Sequence, residues 1–332
     1  MNDAVEKAAP RVEAFTFGDA TPVLDGNDIL DMSESWWNGE WFEPPISMSG
    51  LSKSFRANPH HSSALYVKRN ILVRSYIPHP MLSKEDFARF ALDYLVLANG
   101  YLQRIDNVLG RSMRLKPAPA KYMRRGRDGK FWWVPNLWEK QELQSVFQLQ
   151  EPDLNQELYG VPEYLSAMQS AWLNESATLF RRKYYLNGSH AGFIMYISDA
   201  AMDEKDIADI RQALKDSKGP GNFRNLFLYS PNGKKEGIQV IPISEVQAKD
   251  EFFNIKTLTR DDILAAHRVP PQLMGIVPTN TAGFGDAETA ARVFATNEIE
   301  PLQERFMAVN EWIGEEVIRF RPYTITKDDP QA

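Results

Sequence analysis

The stretch PTNTAGFGD, residues 278–286, sets small polar side chains and two glycines directly before a segment of helical character. A Gly-rich turn feeding a helix can bind phosphate through its free backbone N–H groups. Gly283 and Gly285 begin a G-x-G-x-x-G pattern, but its third position is Glu288. Asp286 and Glu288 stand where the anion would go and themselves complement the helix dipole. The loop is therefore a poor nucleotide cradle. No G-x-x-x-x-G-K-[ST] occurs, so the chain is not expected to hydrolyse ATP. NGSHAG places Asn187 two residues before Ser189, which breaks the G-x-S-x-G nucleophile pattern. None of the five histidines, His60, His61, His79, His190 and His267, pairs at the i, i+4 spacing of a helical metal site. Each reads as a structural or surface histidine. Acidic pairs such as Asp261–Asp262 read as solvated helix faces. No catalytic, cofactor-binding or metal-binding residue is expected.

One charge cluster remains. Arg111, Arg114, Lys116, Lys121, Arg124, Arg125, Arg127 and Lys130 are interleaved with Tyr122, Phe131, Trp132 and Trp133. Such a cluster could bind phosphates with release of counterions. It could equally be a solvated hairpin whose cations pair with carboxylates, including across a subunit boundary. The first reading leads to a metal-dependent nucleic-acid-processing enzyme using the basic 111–130 hairpin. No D-x-[DE] or comparable ligand set stands near that hairpin, which weighs against it.

At 332 residues the chain can hold one large or two ordinary domains. Apolar residues at 43% and charged residues at 25% are ordinary for a globular protein. No apolar run approaches the roughly 20 residues of a membrane span, so no membrane partner is expected. The first residues lack the basic and apolar regions of a signal peptide. Cysteine is absent, excluding disulfides and thiolate chemistry. The net charge of −6 is not that of a protein that grips nucleic acid tightly, although nucleic acid could still slide past it.

The elements that must position these residues read as α+β. Residues 1–25 look like a polar arm. SWWNGEWFEPPISMSGL pins Trp36, Trp37 and Trp41 on a core as extended chain. SKEDFARFALDYLVLAN is a helix with a Ser83–Asp86 capping pattern and one face through Phe87, Phe90 and Tyr94. Short strands follow, joined by turns at Asn107–Gly110 and Arg125–Gly129. A long helix starts at Pro162, repeats Leu165, Met168, Trp172, Leu179 and Phe180 at helical spacing, and ends at Asn187–Gly188. Its last turns carry Arg181, Arg182 and Lys183, where the dipole favours cations. A shorter helix, DEKDIADIRQALKDS, precedes two strands, NLFLYS and GIQVIPI, separated by the hairpin-like PNGKKE. A second long helix, 245–268, opens with Ser244 and Gln247 as a capping box and stops at VPP. The mixed module of about 190–243 is thus carried on a two-helix stalk. The C-terminal helix, 287–318, should kink at Pro301.

The order of LANGYLQRIDNVLGRSMRLKPAPA, ELYGVPEYLSAMQSAWLNESATLFRRKYYLNGSHAGFIMYIS, HRVPPQLMGIVP and NEIEPLQERF resembles the portal proteins of tailed bacteriophages. The PBSX-type group of contractile-tailed enterobacterial phages is the most similar, and FTFGDATPVLD and EPPISMSGLSKSFRANPHHSSAL resemble its N-terminal signature. That resemblance implies a homo-oligomeric ring, usually dodecameric, at one capsid vertex of the virion. Double-stranded DNA would pass through its channel. The terminase large subunit, neck or head-completion proteins, and capsid or scaffolding protein would be its partners. It further implies a wing over 26–160 and 269–320, stem helices at 161–189 and 244–268, and a clip over 190–243. The tail, 321–332, is too short for a substantial crown. Thr279, Asn280, Thr281, Gly283, Phe284 and Gly285 then fall in the channel's tunnel loop, 277–287. Arg181, Arg182 and Lys183 would face DNA in the stem, Lys234 and Lys235 would dock partners on the clip, and Pro301 would mark the kink.

Overall fold

The computed structural model describes residues 35–136, 138–186, 193–197, 238–242, 248–276 and 287–323. A short helix and a longer one come first among the described helices. In α1, Met48–Ser54, the Ser47 side chain accepts from the Gly50 N–H. In α2, Pro59–Ser75, Asn58 accepts from the His60 N–H and Pro59 occupies the first turn, where its missing donor costs nothing. Strand β1, Tyr76–Ile77, leads to α3, Lys84–Leu97. The Ser83 side chain caps α3 by accepting from the Asp86 N–H, as its sequence leads one to expect. Ala98, in the left-handed region at φ 56°, turns the chain straight into β2, Asn99–Asp106.

β2 is the centre of a three-stranded antiparallel sheet, between β3, Ser112–Ala118, and a later strand. The turn between β2 and β3 is held by the Asn107 side chain, which accepts from the Leu109 and Arg111 N–H groups. A second sheet comprises β4, Met123–Arg125, β5, Phe131–Trp133, and β6, Gln141–Leu143. β7, Val146–Gln150, returns to the first sheet beside β2, with Tyr101 opposite Gln148.

A 3-10 turn, Glu163–Ala167, then runs into α4, Met168–Leu186. Strands β8, Phe193–Ile197, and β9, Ile238–Pro242, form an antiparallel pair with Met195 opposite Val240. Ile238–Pro242 of GIQVIPI thus pairs with Phe193–Ile197, a strand the sequence reading missed. NLFLYS and the helix DEKDIADIRQALKDS lie outside the described residues. Helix α5, Ala248–His267, packs along α4.

The C-terminal helix differs from expectation in extent and in its irregularity. It consists of α6, Ala287–Phe294, a π-helical turn, Ala295–Ile299, and α7, Glu300–Ile313. It ends at Gly314, whose φ of 74° suits glycine, rather than at 318. Val317 is buried in the returning chain that forms β10, Arg319–Phe320, beside β1. Pro301 sits in the first turn of α7, directly after the π turn. Proline cannot donate to the carbonyl four residues back, and the widened turn accommodates that missing bond.

Two apolar clusters hold these elements together. One gathers Phe87, Phe90, Phe294 and Phe306 between α3 and the C-terminal helices. The other joins Leu51, Leu65, Tyr101, Tyr159, Met168 and Ile263, so both long helices are rooted in the α+β body. None of the described helices is long and apolar enough to cross a membrane.

Candidate functional site

The basic cluster is divided between two sheets. Arg111, Arg114 and Lys116 belong to the β2–β3 hairpin, whereas Lys121 to Lys130 belong to the β4–β5–β6 sheet. Most of these cations are satisfied within the chain. Arg114 meets Asp86 at 2.8 Å, Arg124 meets Glu43 at 3.3 Å and Lys130 meets Glu142 at 3.4 Å. The guanidinium of Arg125 lies 4.7 Å from the Phe131 ring centre and that of Arg127 lies 4.3 Å from Trp37. Trp37 in turn packs edge-on against Phe42, while Trp36 is exposed. Among the described residues no group of three or more His, Asp or Glu could hold a metal ion. The enzyme reading thus finds no support in the geometry.

The polar side chains converge elsewhere, where the two long helices meet the body. A cleft of about 90 Å³ opens there, lined by Lys68, Glu151, Glu163, Arg268, Glu298 and Arg305 among others. These are three cations and three carboxylates, and they are mutually paired. The Lys68 ammonium of α2 donates to Glu298 of the π turn at 2.9 Å, with both side chains largely buried. Arg268, just beyond α5, donates from Nε to Glu298 and from Nη2 to Glu163. Arg305 of α7 donates to Glu151, which also accepts the Tyr94 hydroxyl. Burial pushes the Lys68 amine down, an effect Glu298 opposes. Burial alone would lower Arg268 too, but Glu298 and Glu163 outweigh it and raise it.

Beneath the cleft lies a buried pair of histidines. His61 Nδ1 and His267 Nε2 are 2.9 Å apart, bringing together residues from α2 and the end of α5. Tyr164 packs edge-on against His61 and tilted against His267, with ring centres 4.6 Å and 5.3 Å away, and donates its hydroxyl to the Val96 carbonyl. His61 Nε2 has no partner. A bare acceptor nitrogen is cheaper to bury than an orphaned N–H, so His61 donates from Nδ1 and His267 accepts. Both rings are neutral: burial pushes His61 down to about 4. His267 is pushed further, first by burial and then by His61, Lys68 and Arg268. Their pairing, across 206 residues, was invisible in the chain order.

Chain segments around the cleft are locked by Asn99. Its side chain donates to the Leu97 and Gly160 carbonyls and accepts from the Gly160 N–H. Gly160 is required by contact: a Cβ there would lie 2.1 Å from the Ala98 carbonyl oxygen. The long helices are tied to each other by Asn174, which donates to the Thr259 hydroxyl at 2.7 Å, and by Ser170 with Asp262 at 2.9 Å.

Arg181 and Arg182 are exposed near the far end of α4, and Lys183 follows them in the helix. Lys256 of α5 has its amine pushed down by burial and then by Arg181, so cations from both helices approach each other there. Thr279, Asn280, Thr281, Gly283, Phe284 and Gly285 lie outside the described residues, as do Lys234 and Lys235. The sequence reading missed Lys68, Glu163, Arg268 and Glu298. The one local signal was an arginine, Arg268, standing where a helix ending before VPP would favour glycine.

A body that roots two tied helices through a junction of paired charges is a structural scaffold. The family model described as phage portal protein matches residues 73–326, and the chain belongs to that family. It is 56% identical over 325 residues to a probable portal protein of Escherichia phage P2, covering 97% of this chain and 94% of the relative. Its fold is similar to a chain in the neck of a native gene transfer agent particle computed with C12 symmetry. There the TM-score is 0.60 at 17% identity, over 86% of this chain and 85% of the other. It is also similar to an HK97 family phage portal protein from Corynebacterium diphtheriae, with a TM-score of 0.56 at 13% identity. That likeness covers 82% of this chain and 94% of the other. The chain is a phage portal protein, a head–tail connector and not an enzyme.

Proposed function

We propose that copies of this chain close into a ring, dodecameric in the virion, at one vertex between head and tail. Duplex DNA enters and leaves through its central channel. The observation that carries this reading is the 56% identity, over 97% of this chain, to the probable portal protein of Escherichia phage P2. The shared fold with a neck chain computed with C12 symmetry supports it. Residues 26–160 with 269–320 are the wing, α4 and α5 the stem, and 190–243 the clip. The terminase large subunit and the neck proteins dock at the clip, with Lys234 and Lys235 at its tip. Capsid or scaffolding protein is a further partner.

The loop at 277–287 is the part of the channel that touches DNA most closely. Thr279, Asn280 and Thr281 offer weak, replaceable hydrogen bonds to phosphate. Gly283 and Gly285 leave the backbone free to follow a moving duplex, with Phe284 at the tip. Arg181, Arg182 and Lys183 supply positive charge lower in the channel, while the net charge of −6 keeps the duplex from binding tightly.

Substitution separates these roles. Thr279→Lys with Asn280→Lys should leave rings intact and cut packaged DNA yield or retention severalfold. Lys234→Glu with Lys235→Glu should weaken terminase or neck docking and leave rings intact. Normal packaging in the first variant, with rings confirmed by microscopy, contradicts the loop's role. Normal docking by the second contradicts the clip's.

A further inference from the structure

The turn that ends α5 is built in a way its backbone does not require. The Val269 N–H donates to the Leu264 carbonyl at 3.1 Å and the Arg268 N–H to Ala265 at 3.0 Å. This is a Schellman-type ending, with Arg268 in the left-handed region at φ 54°. Glycine fills such a position without strain, and a side chain there is disfavoured. Two other helix ends of the described chain use glycine there, Gly275 at φ 69° and Gly314 at φ 74°, and a third uses the small Ala98 at φ 56°. At the end of α5 it keeps a long cationic side chain instead.

That side chain spans three elements. Glu163 opens the turn leading into α4, Arg268 follows α5, and Glu298 lies in the π turn between α6 and α7. The rigid guanidinium fork gives each carboxylate its own nitrogen, a geometry that a single ammonium nitrogen does not reproduce. Glu298 is held from its other oxygen by buried Lys68 of α2. The π turn is a weak place in its helix, because Pro301 removes one of the bonds that would tighten it.

We propose that Arg268 is a latch that locks the root of both long helices to the π turn of the C-terminal helix. Lys68 and Glu298 form its fixed side, and Glu163 its stem side. With the latch closed, α6 and the stem move as one body. With it open, the π turn can change its hydrogen bonding independently of the stem. In the portal reading, this latch joins the helix that follows the channel loop to the helices that carry the clip. The latch itself is a property of the single chain, so its test does not depend on that reading.

Hydrogen exchange on the full-length chain tests it, using Arg268→Gly, Arg268→Lys, Glu298→Gln and the Arg268→Gly/Glu298→Gln double variant. Arg268→Gly relieves the backbone and removes the bridge. Amides over 295–300 and over 163–170 should then exchange about tenfold faster or more. That factor corresponds to loss of about 1.4 kcal/mol of local protection. Arg268→Lys keeps the charge but loses the fork, and should fall between wild type and Arg268→Gly. Over 163–170 the double variant should exchange no faster than Arg268→Gly, since the stem side is already released. Exchange within twofold of wild type in both segments of Arg268→Gly would overturn the latch. Should Arg268→Gly fail to fold, wild-type exchange in Arg268→Lys would overturn it equally, and faster exchange in both segments would support it.

Discussion

Replacing Phe306 with alanine should destabilise the protein by about 3–5 kcal/mol, the cost of emptying a fully buried aromatic site. Phe306 is inaccessible to solvent and stands at the centre of an aromatic cage. Phe87 and Phe90 each meet it edge-on with ring centres 5.4 Å away, and Tyr94 does so at 5.3 Å. These contacts join α3 to α7, so the cavity would open where the C-terminal helix is held against the body. With total stabilities of about 5–15 kcal/mol for single domains, such a loss is a large share of the whole. Met307, its neighbour in the helix, is 37% exposed, and its alanine variant should change stability by about 0.5 kcal/mol or less. Denaturant unfolding of the two variants checks this. A Phe306→Ala cost below that of Met307→Ala would contradict the packing described.

The second large effect is a dependence on pH through the histidine pair. An unfolded chain protonates His61 and His267 near their ordinary 6.5, whereas the folded chain protonates His61 only near 4 and His267 lower still. Protons therefore bind the unfolded state first as the pH falls. The stability due to the neutral pair is complete above 6.5 and declines below it. His61 alone accounts for about 3 kcal/mol by pH 4. The groups around the pair deepen the effect, since Lys68 and Arg268 repel a charged imidazole and Tyr164 and Phe55 cannot hydrate one. Asp93 acts in the opposite direction, because burial pushes its carboxyl up to about 6. Its protonation favours the folded state as the pH falls from there. Comparison with a His61→Leu/His267→Leu variant removes that contribution. Between pH 7.5 and pH 4 the wild type should lose about 3 kcal/mol relative to this variant, or more. Parallel stability curves would show that the buried histidines do not titrate as described.

Local signals in the sequence specified much of the scaffold. The Ser83 cap, the Asn107 turn and the two long helices each follow from side-chain bonding or periodicity within a few residues. Helix α2 was not legible that way. Its buried stripe includes His61, Lys68 and Ser75 alongside Ala64, Leu65, Ile71 and Leu72, so its inward face does not read as apolar. The partner of Ile238–Pro242 lies some 45 residues earlier along the chain, beyond the reach of hairpin reasoning. Gly314 ended the last helix early because Asn310 turns back. Its side chain accepts from the Val317 and Ile318 N–H groups and gives the chain a way out of the helix. The charged junction was the least legible part. Lys68 and Glu298 are 230 residues apart, and only the folded topology makes them neighbours. The basic cluster shows the converse: its members are close in sequence yet divided between two sheets, and Arg114, Arg124 and Lys130 make the pairs with carboxylates that the sequence had offered as one reading.

Electron microscopy of the purified chain, supported by native mass, addresses the ring most directly. Closed rings with a central hole wide enough for duplex DNA, and with twelvefold symmetry in the assembled particle, are the expected result. A chain that stays monomeric at every concentration and does not assemble with its capsid, or that forms only closed dimers without a channel, would contradict it.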